Sequence, residues 1–447
     1  MNIRKRFFQS VLPSMLAFAL SGVYAIVDGF FVGNSMGDSS LAAINLAYPL
    51  TALIQAIGTG IGMGGAIQYA ICDGMKQEQK RNRSLRTSVW LLAAAGVLFT
   101  VVLLPCAPMV LRAFGAQGEI LTLAWEYTRL IAMGTMFQVL GTGLVPFIRN
   151  MGSAVFAMSA MIAGFLSNIL LDYLLVWVYE FGMAGAAAAT VIGQAVTLLF
   201  CLCFLFVRRS GLRCTHEKGE RGPAKSILMT ALSPFGLTFA PNITLILVNK
   251  SAMIHGGENA VTGFATIGYI SGVVFLLLQG ISDGSQPLIS LLYGQGDAAN
   301  AKKVRNMAFQ FAAATAGVCM AVLFLLRNRA AVLFGASEQV VRMVGGMLPL
   351  FLAGYLFVSF SRTAVSYFYA TEKNRFASCL IYGEPVLLFL LLSVLPDIIG
   401  IFGTWLSVPL SQALAALASL VLLLSHKRPP SKERLPVLEG SEAKTGK

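Results

Sequence analysis

The chain has 447 residues, of which 56% are hydrophobic and only 12% are charged, whereas ordinary soluble domains have about a quarter of their residues charged. This composition excludes a typical water-soluble globule. The formal net charge is +13, but the positive residues follow the membrane topology described below, so we expect no nucleic-acid partner.

The apolar residues come in runs of roughly twenty or more, which is long enough to cross about 30 Å of hydrocarbon as a helix. In lipid each backbone polar group must be satisfied within its own segment, so these runs are helices. We therefore predict an all-α integral membrane protein with twelve transmembrane helices in two pseudo-symmetric six-helix bundles. The predicted spans are residues 11–33, 41–70, 87–111, 119–147, 153–179, 184–207, 227–249, 259–292, 307–326, 339–370, 376–395 and 400–425.

The distribution of Lys and Arg gives the orientation. With the N-terminus inside, 26 of the 33 positive residues fall in cytoplasmic connections or the tail, and an excess of this size sets both termini in the cytoplasm. The longest hydrophilic interruption before the tail follows the sixth span. We therefore divide the chain into a first lobe (1–209), a cytoplasmic linker (210–225), a second lobe (226–426) and a disordered cytoplasmic tail (427–447).

The two halves repeat each other at a nearly constant offset. A shift of 220 aligns Gly60, Gly64 and Gly74 with Gly280, Gly284 and Gly294, and a shift of 218 aligns Gly182, Gly185 and Gln194 with Gly400, Gly403 and Gln412. Because each half has six spans and enters from the same side, the repeats are parallel, which favours a transporter with its pathway between the halves. A shift of 221 aligns Asp28 with Asn249, so this carboxylate exists in one half only.

Two carboxylates, Asp28 in the first span and Asp172 in the fifth, lie deep within predicted helices. An ionisable group at that depth is costly and is therefore a functional candidate. Asn168 precedes Asp172 by four residues on the same helix face, and the hairpin between spans five and six brings Thr190 to the same depth. We predict that these four residues form a coupling site. Their oxygen atoms suit Na⁺, whereas two close carboxylates could instead share a proton.

Pro13 lies fifteen residues before Asp28 in the first span. Proline removes a helix hydrogen bond and permits bending, so Pro13 is a candidate hinge coupled to the charge of Asp28. The alternative is a proline in the first turn of the helix. No other metal site and no cofactor are expected.

With these residues in place, the sequence resembles the multidrug and toxic compound extrusion (MATE) transporters, especially the bacterial branch of DinF-like and MepA-like proteins. The likeness covers nearly the whole chain and rests on Pro13 with VDGFFVG at 27–33, LAAINLAYPL at 41–50 and QPLIS at 286–290. It implies two bundles around a V-shaped cavity, rocker-switch exchange, and a cation site in the first lobe that matches the four predicted residues. Tyr24 matches a cavity-lining position.

The second half departs from the acidic pattern that some MATE branches have in spans seven and ten, where this chain has Asn249 and Arg362. Arg362 either pairs with a carboxylate such as Glu384 or contacts an anionic or zwitterionic substrate. Asp283, in the eighth span, follows a glycine-rich stretch. We assign Asn249, Asp283 and Arg362, together with Tyr24, to the substrate cavity.

The function we expect is export of cationic or amphipathic small organic compounds in exchange for Na⁺ or H⁺, by a monomer in contact with the lipids of a bacterial cytoplasmic membrane. The alternative is a flippase for lipid-linked precursors of the same superfamily, which the basic Arg362 favours. A membrane-embedded enzyme is not expected, since the sequence has no nucleophile–base or metal arrangement.

Overall fold

The computed structural model describes residues 2–208, 223–327 and 338–425, with side chains except at 25–26, 28–30, 32–34, 38 and 338–340. All regular elements in these ranges are helices. They are α1 (Ile3–Gly74), α2 (Glu78–Ala113), α3 (Gly118–Asn150), α4 (Ala154–Asp172), a π-helix (Tyr173–Val178), α5 (Gly182–Val207), α6 (Ala224–Gly294), α7 (Ala298–Leu326), α8 (Glu338–Ala370), α9 (Asn374–Leu392), α10 (Leu395–Ile399) and α11 (Ile401–Ser425). The tail at 427–447 and most of the linker at 210–225 lie outside the described residues, so their predicted roles stay predictions.

The helices α1 and α6 each contain two predicted spans joined at a single break. The break in α1 is at Gly37 (φ 76, ψ −174), and the break in α6 is at Gly257 (φ 67, ψ −164). This backbone conformation is essentially restricted to glycine. The two positions are 220 residues apart, which is the offset of the sequence repeat. We refer to the parts before and after each break as the first and second arms.

The prediction of twelve spans is confirmed. In the described part of the chain, eleven helical segments are long and apolar enough to cross a membrane, and one of them, Ala224–Gly294, contains two spans because it breaks at Gly257. The fifth span is α4 continued by the π-helix, and the eleventh is α9 followed by α10. The first helix begins at Ile3, well before the predicted start of the first span at residue 11.

The two halves meet through glycines of α1 and α6. A Cβ built on Gly280 would lie 2.5 Å from the Met15 Cα atom, and one on Gly64 would lie 2.6 Å from the Ile227 carbonyl oxygen. The glycines that align in the sequence repeat are therefore the positions at which the backbones of the two halves touch. Buried apolar side chains of α1, including Phe7 and Ile67, also join the hydrophobic core of the second half.

The turns of the two halves repeat as well. Lys76 (φ 60) corresponds to Gly296 (φ 74), and Gly152 (φ 81) corresponds to Glu372 (φ 58), each pair at an offset of 220. All four residues have the left-handed conformation that glycine adopts most readily. The pseudo-symmetry thus extends to the backbone conformation of the connections.

Replacing Gly257 by Ala tests the importance of the break in α6. No described atom lies within 4 Å of a Cβ at this position, so the effect would be conformational rather than steric. We expect a loss of about 1–3 kcal/mol of stability, measured as a lower thermal unfolding midpoint in detergent. The control is Gly268→Ala, which also meets open space but is helical, and which we expect to be neutral or stabilising. Equal midpoints for the two variants would contradict the strained break.

Candidate coupling site and polar cluster of the second half

Two polar side chains of α4 are buried close to the point where the α-helix continues as a π-helix. Asn168 is 2% exposed and Asp172 is 0% exposed, and Asp172 is the last α-helical residue before the π-helix. Short π-helical turns are frequent at functional sites because they change the direction of side chains and free backbone groups. The sequence prediction that both residues lie on one face of one helix agrees with these bounds.

The α5 helix packs closely against this polar face. A Cβ on Gly193 would lie 3.0 Å from the Asn168 Cβ atom and 2.9 Å from the Gly164 carbonyl oxygen. Thr190 precedes Gly193 by one helical turn and so lies on the same side of α5. Its hydroxyl group donates a hydrogen bond to the Ala186 carbonyl oxygen at 3.0 Å. The structure thus brings Asn168 to the face of α5 that carries Thr190.

The side chain of Asp28 lies outside the described residues, but its backbone belongs to the first arm of α1. The rings on either side of it contact the fifth span: Tyr24 stacks on Phe165 with centroids 5.1 Å apart, and Phe31 meets Trp177 edge to face at 5.9 Å. The backbone of Asp28 is therefore level with the stretch of α4 that carries the buried polar pair.

The chemistry of this site fits the predicted ligand. Both polar atoms of the Asn168 side chain are buried, and no described residue forms a hydrogen bond with either of them. Such unmet capacity costs about 1–3 kcal/mol, which a bound cation or a protonated partner would offset. The donors are carboxylate, amide and hydroxyl oxygens, which suit a hard cation such as Na⁺.

The second half has apolar residues at the same three positions. The offsets of the repeat pair Asn168 with Leu388, Asp172 with Leu392, and Thr190 with Val408. Leu388 is 2% exposed and Val408 is 6% exposed, so the same architecture packs well with aliphatic side chains there. The polar set of the first half is consequently not a requirement of the fold.

A second polar cluster surrounds Asp283, which is 3% exposed on α6. Its carboxylate accepts hydrogen bonds from the Gln279 amide at 2.7 Å and from the Tyr369 hydroxyl group at 3.1 Å. Arg149, at the end of α3 in the first half, approaches the same carboxylate at 3.9 Å. Asp283 therefore links two helices of its own half to an arginine of the other half.

Arg362 of α8 adjoins this cluster. Its guanidinium donates to the Gln279 side-chain oxygen at 2.7 Å and lies 5.7 Å from the centre of the Phe275 ring. Glu384 acts on Arg362 electrostatically, but the described side chains include no ion pair within 4.0 Å between the two. The predicted pairing with Glu384 is thus a longer-range interaction.

Comparisons with known proteins identify the family of this two-half fold. The MatE family model matches residues 13–174 and again residues 231–383, one block in each half. The chain belongs to the MATE family. It is 24% identical over 96% of its length to the multidrug export protein MepA of Staphylococcus saprophyticus and covers 95% of that protein. It is 23% identical over 92% of its length to MepA of Staphylococcus aureus, of which it covers 91%.

Among solved structures, the chain is similar to a multidrug resistance MATE transporter in an outward-facing conformation. The TM-score is 0.89 at 24% identity, over 94% of this chain and 95% of the other. The resemblance seen in the sequence, including its MepA-like branch, is confirmed, as is the two-bundle MATE fold.

The structure also describes residues that were predicted from the sequence to form the hinge or the substrate cavity. Pro13 lies in the interior of α1, which begins at Ile3, so the alternative of a first-turn proline is wrong, while the hinge stays a prediction. Asn249, the counterpart of Asp28, lies in the first arm of α6 with a buried side-chain oxygen that no described residue contacts through a hydrogen bond. Tyr24 stacks on Phe165. The assignment of these residues to a substrate cavity stays a prediction.

Sequence reasoning missed a set of polar contacts that join the halves at the end where α1 begins, which we call the closed end. The side-chain amides of Asn150 and Gln286 exchange hydrogen bonds at 3.0 and 3.1 Å, and the Gln68 amide donates to Glu372 at 2.9 Å. The signal available in the sequence was proximity to the aligned glycines Gly64 and Gly284.

Replacing Gly193 by Ala tests the packing around Asn168. The new methyl group would press on backbone and on the Asn168 side chain, so we expect this variant to be less stable than Gly317→Ala by about 1–3 kcal/mol. Gly317 is a matched control, since it is also helical and a Cβ there would meet no described atom within 4 Å. The measurement is thermal unfolding of both variants in the same detergent, and equal stability would contradict the close contact.

Proposed function

We propose that this MATE protein is a secondary antiporter that exports cationic or amphipathic small organic compounds in exchange for Na⁺ or H⁺. In this proposal the coupling ion binds at Asp28, Asn168, Asp172 and Thr190, and the two halves exchange access by a rocker-switch movement. The protein acts as a transporter in a bacterial cytoplasmic membrane with both termini in the cytoplasm, and not as an enzyme.

The observation that carries the proposal is the replacement of the polar set by Leu388, Leu392 and Val408 in the second half. A buried carboxylate such as Asp172 is expensive in a membrane bundle, and so is the buried Asn168 amide, to which no described residue forms a hydrogen bond. Since the same fold accepts aliphatic residues at those positions, a polar set in one half only is best explained by a ligand. The curated relatives are multidrug export proteins, which supports a small-molecule substrate.

The contacts between the halves support the rocker-switch movement. At the closed end the halves share glycine contacts and hydrogen bonds, such as that from the Ser10 hydroxyl group to the Gly284 carbonyl oxygen at 2.7 Å. Towards the other end of the second arm of α6, a Cβ on Gly268 or Gly272 would meet no described atom within 4 Å. A structure that is packed at one end and open at the other is what an alternating-access transporter has in one of its two states.

A flippase for lipid-linked precursors is the second candidate. The observation that favours it is Arg362, a guanidinium inside the membrane-spanning part of α8 that is not in an ion pair with any described carboxylate. Such a group suits a phosphate as well as a carboxylate.

The test uses the full chain in proteoliposomes with a fluorescent organic cation and separately imposed Na⁺ and H⁺ gradients. Wild type is compared with Asp28→Asn, Asp172→Asn and the double substitution Asn168→Leu/Asp172→Leu, which copies the second half. We expect each variant to fold and to lose at least about tenfold of the gradient-driven flux, since it removes the ion ligands while keeping the packing.

The control is Asp397→Asn, which makes the same chemical change at an exposed carboxylate beside His255 and which we expect to keep wild-type flux. Gradient-driven transport that survives in all three site variants would overturn the proposed coupling site. If wild type moves no cation under either gradient but transfers a lipid-linked phosphate between leaflets, the flippase is correct.

A further inference from the structure

Arg362 has hydrogen-bonding capacity that the protein does not use. A guanidinium carries several N–H donors in a planar fork, and the described contacts engage it through one hydrogen bond to Gln279 and one ring contact with Phe275. None of its nitrogens is among the described buried atoms that have no partner. Arg362 is half-buried, so its spare donors are not completely enclosed in the core.

The nearby carboxylates do not neutralise this arginine directly. Asp283 is already held by Gln279 and Tyr369 and has Arg149 at 3.9 Å, so its oxygens are directed to other partners. Glu384 and Asp283 both act on Arg362 electrostatically, but no described carboxylate forms an ion pair with it within 4.0 Å. An arginine in the membrane with spare donors and no close described carboxylate is suited to an anionic group from outside the protein.

The repeat shows that the fold does not need these residues. At an offset of 220, Arg362 corresponds to Thr142 and Gln279 corresponds to Thr59. The first half packs small hydroxyl side chains at both positions, so a long charged side chain and its amide partner are not demanded by the architecture.

A stripe along α6 leads from open space to the arginine. Gly268, Gly272, Phe275 and Gln279 follow one another at intervals of three or four residues and so lie on one helix face. The two glycines meet no described atom within 4 Å of a Cβ, and the other two residues contact Arg362. The Arg362 guanidinium thus lies beside one end of this helix face, and the other end of the face, at Gly268 and Gly272, has space for further atoms.

We propose that Arg362, oriented by Gln279 and Phe275, binds the carboxylate of amphipathic organic substrates, so that compounds carrying both a positive charge and an acidic group are preferred over their esters. The proposal rests on the antiporter function above and names its substrate class. Gln279 is a positioning residue, since its amide accepts from Arg362 and donates to Asp283. An acidic group of the substrate would accept hydrogen bonds from the N–H groups of Arg362 that Gln279 does not engage.

The test is a binding measurement with a matched pair of xanthene dyes, one the free acid and the other its methyl ester, on the full chain in lipid nanodiscs made of a zwitterionic lipid. Fluorescence anisotropy gives the Kd of each dye. We expect the acid to bind wild type at least about tenfold more tightly than the ester. In Arg362→Gln this preference disappears because the acid loses affinity while the ester changes by less than about twofold, and Arg362→Lys is intermediate since it keeps the charge but not the fork.

The control variant is Arg305→Gln, which removes the same charge on α7, where the guanidinium lies 4.9 Å from the Tyr367 ring centre, and it should keep the preference for the acid. Thermal midpoints confirm that the variants are folded. The proposal is overturned if wild type does not prefer the acid, if Arg362→Gln weakens both dyes equally, or if Arg305→Gln has the same effect.

Two further arms separate this result from the function on which it rests. Gradient-driven efflux of the ester without preference for the acid refutes the inference and leaves the antiporter intact, whereas preferential binding of the acid without efflux of either dye refutes the antiporter alone. Repeating the titration in nanodiscs of an anionic lipid identifies the source of the acidic group. If the anionic lipid weakens binding of the acid to wild type but not to Arg362→Gln, the site binds a lipid phosphate, and the proposal for organic carboxylates is overturned.

Discussion

The close contact of α1 with α6 is the constraint on which the rest of the structure depends. At Gly64 and Gly280 the backbones of the two halves approach so closely that even a methyl group would not fit. Helices in lipid gain little from burying apolar surface, so small residues that allow backbone contact dominate their association. The contact also fixes the geometry of the polar groups beside it, because Arg149, Asn150 and Gln286 can pair across the halves only when the glycines touch.

Duplication has given each half the same scaffold and a different polar set. The first half has Asn168, Asp172 and Thr190 where the second has two leucines and a valine, and the second has Gln279 and Arg362 where the first has threonines. Each half is thereby a comparison for the other, since it shows which residue the same scaffold has at the equivalent position. In the proposed mechanism this separates the coupling ion from the acidic group of the substrate, so that the two do not compete for one set of ligands.

The sequence was sufficient for the number and order of the spans, the repeat and the position of Asn168 and Asp172 on one helix, because these depend on apolar run length and helical periodicity. It placed Gly37 and Gly257 in polar connections between predicted spans, but it did not predict that each connection is helical up to a break at one glycine, since an apolar run ends at the first polar residues although the backbone stays helical. The early start of α1 was missed because Arg4, Lys5 and Arg6 mark the end of an apolar run although the backbone stays helical. The cross-half network was missed for another reason: its partners, such as Asn150 and Gln286, are far apart in the chain and meet only through tertiary packing.

The contacts of Asp283 indicate which member of the Asp283–Arg149 pair would keep its hydrogen-bond partners in the proposed rocker-switch movement. Its carboxylate accepts short hydrogen bonds from Gln279 and Tyr369 of its own half, whereas Arg149 of the other half is at 3.9 Å. Removing one member of a buried ion pair typically costs about 3–5 kcal/mol because the other charge is left uncompensated. In a rocker-switch movement Asp283 would remain solvated by its two donors, and Arg149 would be the group exposed to the new environment. In the proposed rocker-switch movement the pair would therefore oppose opening of the closed end most strongly when nothing else neutralises Arg149, and opening would depend on water or an anionic group reaching that side of the interface.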